Sequence, residues 1–175
     1  SRPVSGLSRS STSGCNVSAR ASPARCRQLR PTFAGVLFAH GGTAGGHSLY
    51  VKDRRLHYVH NWLGEKFQAA TSDRDVPRGK HVLTAEFQKP GDDEQTKSAT
   101  GTLTLYVDDE PVGKAEIMTQ PGFFALAGDG LSVGRDSASP VSQGYEAPFA
   151  FSGGAIDRVV VDVTIPAPEP RPARP

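Results

Sequence analysis

The stretch "GTLTLYVDDEPVGKAEIM", residues 101–118, limits the fold of this chain most sharply. Leu103, Leu105 and Val107 occupy every second position, the acidic pair Asp108-Asp109 interrupts them, and a second run follows. Apolar residues at period two on both sides of a short polar break describe an antiparallel hairpin with one face buried. Pro111 stands at the start of the return run, where no ladder donor is needed.

The same cadence continues along the chain. "GVLFA" (35–39), "SLYVK" (48–52), "RLHYVHNW" (55–62), "FFALA" (123–127), "LSVGRD" (131–136), "PFAFSGG" (148–154) and "AIDRVVVDVT" (155–164) are short and rich in β-branched and aromatic residues. "KHVLTAEFQ" (80–88) alternates, with His81, Leu83, Ala85 and Phe87 on one face and Val82, Thr84, Glu86 and Gln88 on the other. Asp53-Arg54, Pro90-Gly91-Asp92 and Gly128-Asp129-Gly130 separate the runs. About ten strands at this spacing, with no sustained helical period, predict an all-β fold: a two-sheet antiparallel sandwich of jelly-roll form.

Three segments differ in texture. Residues 1–32 are rich in Ser and Arg and poor in large apolar residues, so they read as a basic disordered head, with a first strand at 16–21 as the one element within it. An acid-free head of this kind resembles a transit peptide, although no amphipathic helix accompanies it. Residues 33–165 form the sandwich, and 166–175, with prolines at 166, 168, 170, 172 and 175, read as a polyproline-type tail. Cys15 and Cys26 lie in the head, and sequence alone does not pair them.

Charge argues against two classes of partner. Net charge is +2, and Arg2, Arg9, Arg20, Arg25, Arg27 and Arg30 contribute +6, leaving +2 − 6 = −4 for the rest. A mildly acidic body does not suit nucleic acid, which calls for basic side chains gathered on a folded face. No run of apolar residues is long enough for a membrane-spanning helix, and no secretory leader is evident in the sequence.

The most chemically suggestive stretch is "FAHGGTAGGHSLYVKDRRLHYVHNW", 38–62. Its glycines, Gly41, Gly42, Gly45 and Gly46, fit neither nucleotide fingerprint, and strands rather than a helix flank them, so they read as a strand connection. His57 and His60 are three apart on a strand and therefore point to opposite faces. His40 and His47 can face each other, but no third ligand is evident, so no metal or other cofactor is expected. Asp92-Asp93-Glu94 and Asp108-Asp109-Glu110 read as solvated turn acids, and no Gly-x-Ser-x-Gly elbow is present, so no catalytic residue is expected either. Trp62, Tyr145 and Phe149 are the candidates for stacking against a sugar, with Trp62 as a core residue the competing assignment.

The Gly-Gly-x-x-Gly-Gly loop, "SLYVKD", "TQPG", "LSVGRD" and "FSGG", taken in that order from about Gly35 to Val163, resemble the C-terminal β-sandwich of large bacterial arylsulfatases. "LYVDDEPVG" and "LSVGRD" also resemble concanavalin-like, laminin-G-type jelly rolls. The sulfatase resemblance implies a non-catalytic accessory domain. Its partner would be an arylsulfatase catalytic domain, with a glycan or an aryl sulfate as ligand. The formylglycine motif that such a catalytic domain carries is absent: "ASPAR" (21–25) has Ala21 where Cys or Ser would stand. The alternative is a free-standing carbohydrate-binding module.

Overall fold

A computed structural model describes residues 14–23, 33–89, 98–120, 130–137 and 139–163. Among them are ten strands: β1 Gly14–Pro23, β2 Gly35–Gly42, β3 Gly45–Lys52, β4 Arg55–Trp62, β5 Lys66–Thr71, β6 His81–Gln88, β7 Thr100–Val107, β8 Glu110–Met118, β9 Leu131–Val133 and β10 Gly154–Val163. They form two five-stranded sheets, β10-β1-β6-β7-β8 and β5-β4-β3-β2-β9, with every pairing antiparallel. The fold is the all-β jelly-roll sandwich that the strand cadence predicts.

The hairpins follow from local chemistry. Asp53 and Arg54 both take positive φ (51° and 66°), which gives the turn a twist matching that of β3 and β4. Asp108, at φ 57°, turns β7 into β8, and its carboxylate accepts from the Val82 N–H at 2.9 Å and contacts His81 Nδ1 at 2.9 Å. This turn acid therefore fastens β6 to the β7–β8 corner. In the β2–β3 hairpin Gly41 lies opposite Gly46. A Cβ on either would run into the facing backbone, so the glycines allow a close approach.

The core fills the space between the sheets. Leu37, Leu49, Val51 and Leu56 from one sheet meet Leu83, Leu103, Leu105 and Ile117 from the other, all of them buried. Gln68 joins the sheets where β5 faces β8: its side-chain amide donates to the Met118 carbonyl (2.8 Å) and its oxygen accepts from the Met118 N–H (2.9 Å). Segment 134–152 covers the outer face of the β2–β4 sheet, where Val141 and Tyr145 pack on Val36, Ala39, Tyr50 and Val59. Backbone bonds from Val36 N to Phe149 O (3.0 Å) and from Gly134 N to Leu37 O (3.2 Å) hold it there.

Several sequence expectations change. The first strand spans Gly14–Pro23 and lies between β10 and β6, so the sandwich begins ahead of residue 33. Its partners in register supply the pairing that its small and polar residues do not advertise. β5, "KFQAAT", has no counterpart in the sequence reading, because it lacks the β-branched alternation that marks the other strands. Residues 148–153 form no strand; only an isolated bridge, Ala34 to Ser152, occurs there. The expected strand at 123–127, the acids at 92–94, Cys26 and the proline tail lie outside the described residues.

Asn61 ties one end of the second sheet together. Its fully buried side chain donates to the carbonyls of Gly42 (2.9 Å) and Thr43 (3.1 Å) and accepts from the Gly64 N–H (2.8 Å). Asn61→Ala is expected to lower the unfolding free energy by about 3 kcal/mol, since buried partners lose their bonds. Asn61→Asp is expected to do worse, because a carboxylate would face two carbonyl oxygens. Urea unfolding of the two variants checks the order.

Candidate functional site: the histidine row and Trp62

Strand registers bring three histidines into line. His40 lies opposite His47 across β2 and β3, and His47 lies opposite His60 across β3 and β4. All three share the face that looks toward the other sheet. A bulge between Val36 and Phe38 makes this possible. It places Leu37 and Phe38 together in the inter-sheet core, and His40 then falls on the inner face. His57 sits on the opposite face, as strand geometry requires, with its ring stacked on Tyr50 at 5.0 Å. Its Nε2 donates to the Lys52 carbonyl (3.2 Å), so Nδ1 accepts from the Thr71 hydroxyl (3.0 Å).

The row is tightly packed. The His47 ring stacks between Phe38 (5.3 Å) and Tyr58 (6.2 Å) and meets His40 edge-on at 5.5 Å. Burial lowers the His47 pKa to about 3, and the neighbouring His60 and His40 lower it further. Burial also lowers His60 to about 4, against a partial offset from the nearby Gln120 side chain. Both imidazoles are therefore neutral at neutral pH. Among the described residues no group of three His, Cys, Asp or Glu side chains is arranged to hold a metal ion.

Trp62 continues the same face of β4, two residues beyond His60, and its indole is half-buried. Among the described residues, three buried polar atoms at this end have no hydrogen-bond partner: His60 Nε2, Trp62 Nε1 and Gln120 Oε1. A buried polar atom without a partner is costly, and three in one place are uncommon. The indole N–H can only donate and the amide oxygen can only accept. The imidazole nitrogen does either, according to tautomer.

The other two aromatic candidates are elsewhere. Tyr145 and Phe149 stack at 5.3 Å on the outer face of the second sheet, separated from Trp62 by the sheet itself. Tyr145 is buried; its hydroxyl donates to Asp136 Oδ2 at 2.6 Å and lies 3.0 Å from Ser48 Oγ. Burial, reinforced by the Asp136 carboxylate, pushes its pKa well above the ordinary tyrosine value. Asp136 Oδ2 also accepts from the Val141 N–H (3.0 Å), so this network pins the covering segment. Trp62, Tyr145 and Phe149 thus do not form one stacking platform. Sequence reasoning missed Gln120, Gln68 and Asn61, since a lone amide in a strand or loop carries no motif.

No family model matches this chain, and no curated protein matches it. Solved structures similar to it include the Ruminococcus gnavus IT-sialidase CBM40 bound to α2,3-sialyllactose. That likeness has 16% identity and a TM-score of 0.48, and covers 88% of this chain and 79% of that one. The same module bound to α2,6-sialyllactose gives 16% identity and a TM-score of 0.46, with 88% and 78% covered. A further structure of the module gives 19% identity and a TM-score of 0.45, with the same coverage. With TM-scores below 0.5, none of these likenesses bears on which residues of this chain do what.

The expected kinship with arylsulfatase sandwiches is corrected by these findings. No family model and no curated protein matches, so no sulfatase does, and the three solved structures named above are of a sialidase module. The residues that carried the resemblance have architectural roles that a jelly roll needs in any case. The glycines close the β2–β3 hairpin, and "LSVGRD" supplies the edge strand β9 and the buried Asp136.

The neutral histidines make a pH prediction. Their folded pKa values lie below the ordinary 6.5, so between that value and about 3 to 4 the unfolded chain binds protons that the folded chain does not. Stability is therefore complete above about pH 6.5 and falls as pH drops through this window. At pH 5 each imidazole is expected to cost about 2 kcal/mol. Urea unfolding across that pH range measures the slope, which His60→Gln is expected to make shallower.

Proposed function

We propose that this chain is a non-catalytic carbohydrate-binding β-sandwich whose ligand is held at the end of the sandwich bearing Trp62, His60 and Gln120. One observation carries the reading: among the described residues, the N–H of a half-buried indole and two polar atoms at the same end, His60 Nε2 and Gln120 Oε1, lack partners. A pyranose supplies what such a place lacks. Its hydroxyls both donate and accept, so one ring can serve the Trp62 N–H, the Gln120 oxygen and the His60 nitrogen together. Its C–H face covers an indole without requiring charge. Neutral imidazoles suit such a ligand, because they hydrogen-bond without bringing a buried charge. Small-molecule sites commonly combine apolar and aromatic walls with a few convergent polar groups in this manner.

The chain contains one tryptophan, so its intrinsic fluorescence reports on Trp62 alone. Titration with oligosaccharides found positive on a glycan array is expected to shift or quench that emission. Trp62→Phe keeps an apolar ring and removes the N–H, and is expected to weaken binding about tenfold, equivalent to about 1.4 kcal/mol. Tyr145→Phe, on the other face, is expected to lower stability and leave affinity unchanged. Binding that persists undiminished in Trp62→Phe, or an array with no positive glycan, would sink the reading.

A further inference from the structure

β10 ends its sheet, and among the described residues no strand lies on its outer side. It is a ten-residue strand, long for an unprotected edge. Natural edges are blunted by lysines, prolines, bulges or shortness. β10, "GAIDRVVVDV", contains no lysine or proline, its one register shift against β1 falls at Asp157 and leaves 158–163 regular, and Val160, Val161 and Val163 are each about half exposed. Since β5 faces β8 at the Gln68–Met118 bridge, β9 and β10 share the opposite side of the sandwich. β9 adds exposed Leu131 and Val133 there. The result is an apolar flank next to a row of open backbone donors and acceptors.

The charges on β10 say what fits this edge. Suppose a second β10 pairs antiparallel with the first about a two-fold axis at Val160. Arg158 of each copy then stands opposite Asp162 of the other, and Val159 stands opposite Val161. Shifting the axis by one residue toward either end sets Asp162 opposite Ile156 or Val160 instead. One symmetric register therefore satisfies both charges, and it does so twice. Arg158 and Asp162 are both exposed, and neither forms an ion pair within the described residues. Asp157, which this register sets opposite Val163, already pairs with Lys80 at 2.8 Å.

We infer that the chain forms a homodimer through antiparallel β10–β10 pairing, which joins the two β10-β1-β6-β7-β8 sheets into one ten-stranded sheet. Such an interface is self-complementary, as two-fold symmetry requires. It also sets two copies of the Trp62 end on one rigid body.

Sedimentation equilibrium from low to high micromolar concentration is expected to show a monomer–dimer equilibrium. Arg158→Asp alone and Asp162→Arg alone each place like charges opposite one another and are expected to weaken the dimer about tenfold or more. The double variant, Arg158→Asp with Asp162→Arg, restores the pairing and is expected to recover it. Val160→Cys, in a Cys15→Ser, Cys26→Ser background, is expected to give a disulfide-linked dimer on mild oxidation, because the two positions meet at the axis. The cross-link keeps the test decisive if a charge variant folds poorly. A strictly monomeric chain, a dimer indifferent to the single reversals, or a double variant no better than the singles overturns the inference. So does a failure of Val160→Cys to cross-link.

Discussion

The buried amide of Asn61 is the contact on which the rest of the second sheet depends. Its nitrogen holds the carbonyls at the tip of the β2–β3 hairpin, and its oxygen holds the turn that follows β4. Two hairpin ends that would otherwise fray are joined through one side chain. Fraying here would release the registers that align His40, His47 and His60. No other side-chain type offers two donors and an acceptor in a planar group of this size, apart from the longer glutamine.

The same sheet is covered on both faces, and the two covers do different work. On the inner face, aliphatic residues give way to imidazoles and an indole toward the Trp62 end, so the core becomes polar there. On the outer face, where the 134–152 segment lies on the sheet, Tyr50 and Tyr145 are buried with their hydroxyls satisfied, that of Tyr145 by Asp136 and by Ser48 of β3 and that of Tyr50 by Ser142 at 3.5 Å. Aromatic residues that looked equivalent in the sequence thus divide into a fully partnered set and an unpartnered one. Partnered polar groups stiffen a fold, and unpartnered ones leave bonding capacity for something else.

How much of this was legible depends on where the information resides. The β7–β8 hairpin was readable because period-two alternation and an acidic turn are both local, and the separation of His57 from His60 was readable for the same reason. β1 was obscure because its place is fixed by β6 and β10, not by its own Ser- and Arg-rich residues. The histidine row was hidden by the bulge at Val36–Phe38. Counting by twos from Val36 puts His40 on the outer face, and only the extra inward residue reverses it. The partnerless atoms at His60, Trp62 and Gln120 depend on contacts between sheets, which no spacing rule reports. The sulfatase resemblance misled because glycine hairpins and acidic turns recur wherever short strands must reverse.

The position of β1 bears on how the chain assembles as it leaves the ribosome. β1 emerges first, yet both its neighbours come later, β6 from mid-chain and β10 last, with Val17 opposite Ala85 on one side and Val161 on the other. The β2–β5 meander can form while synthesis continues, since each of its turns is local. The other sheet cannot close until the final strand is out. Sandwiches dominated by such distant pairings fold slowly, and their unpaired edges stay exposed meanwhile. The β2–β5 meander can therefore be in place while β1 waits, and of the ten described strands the first made is among the last to be secured.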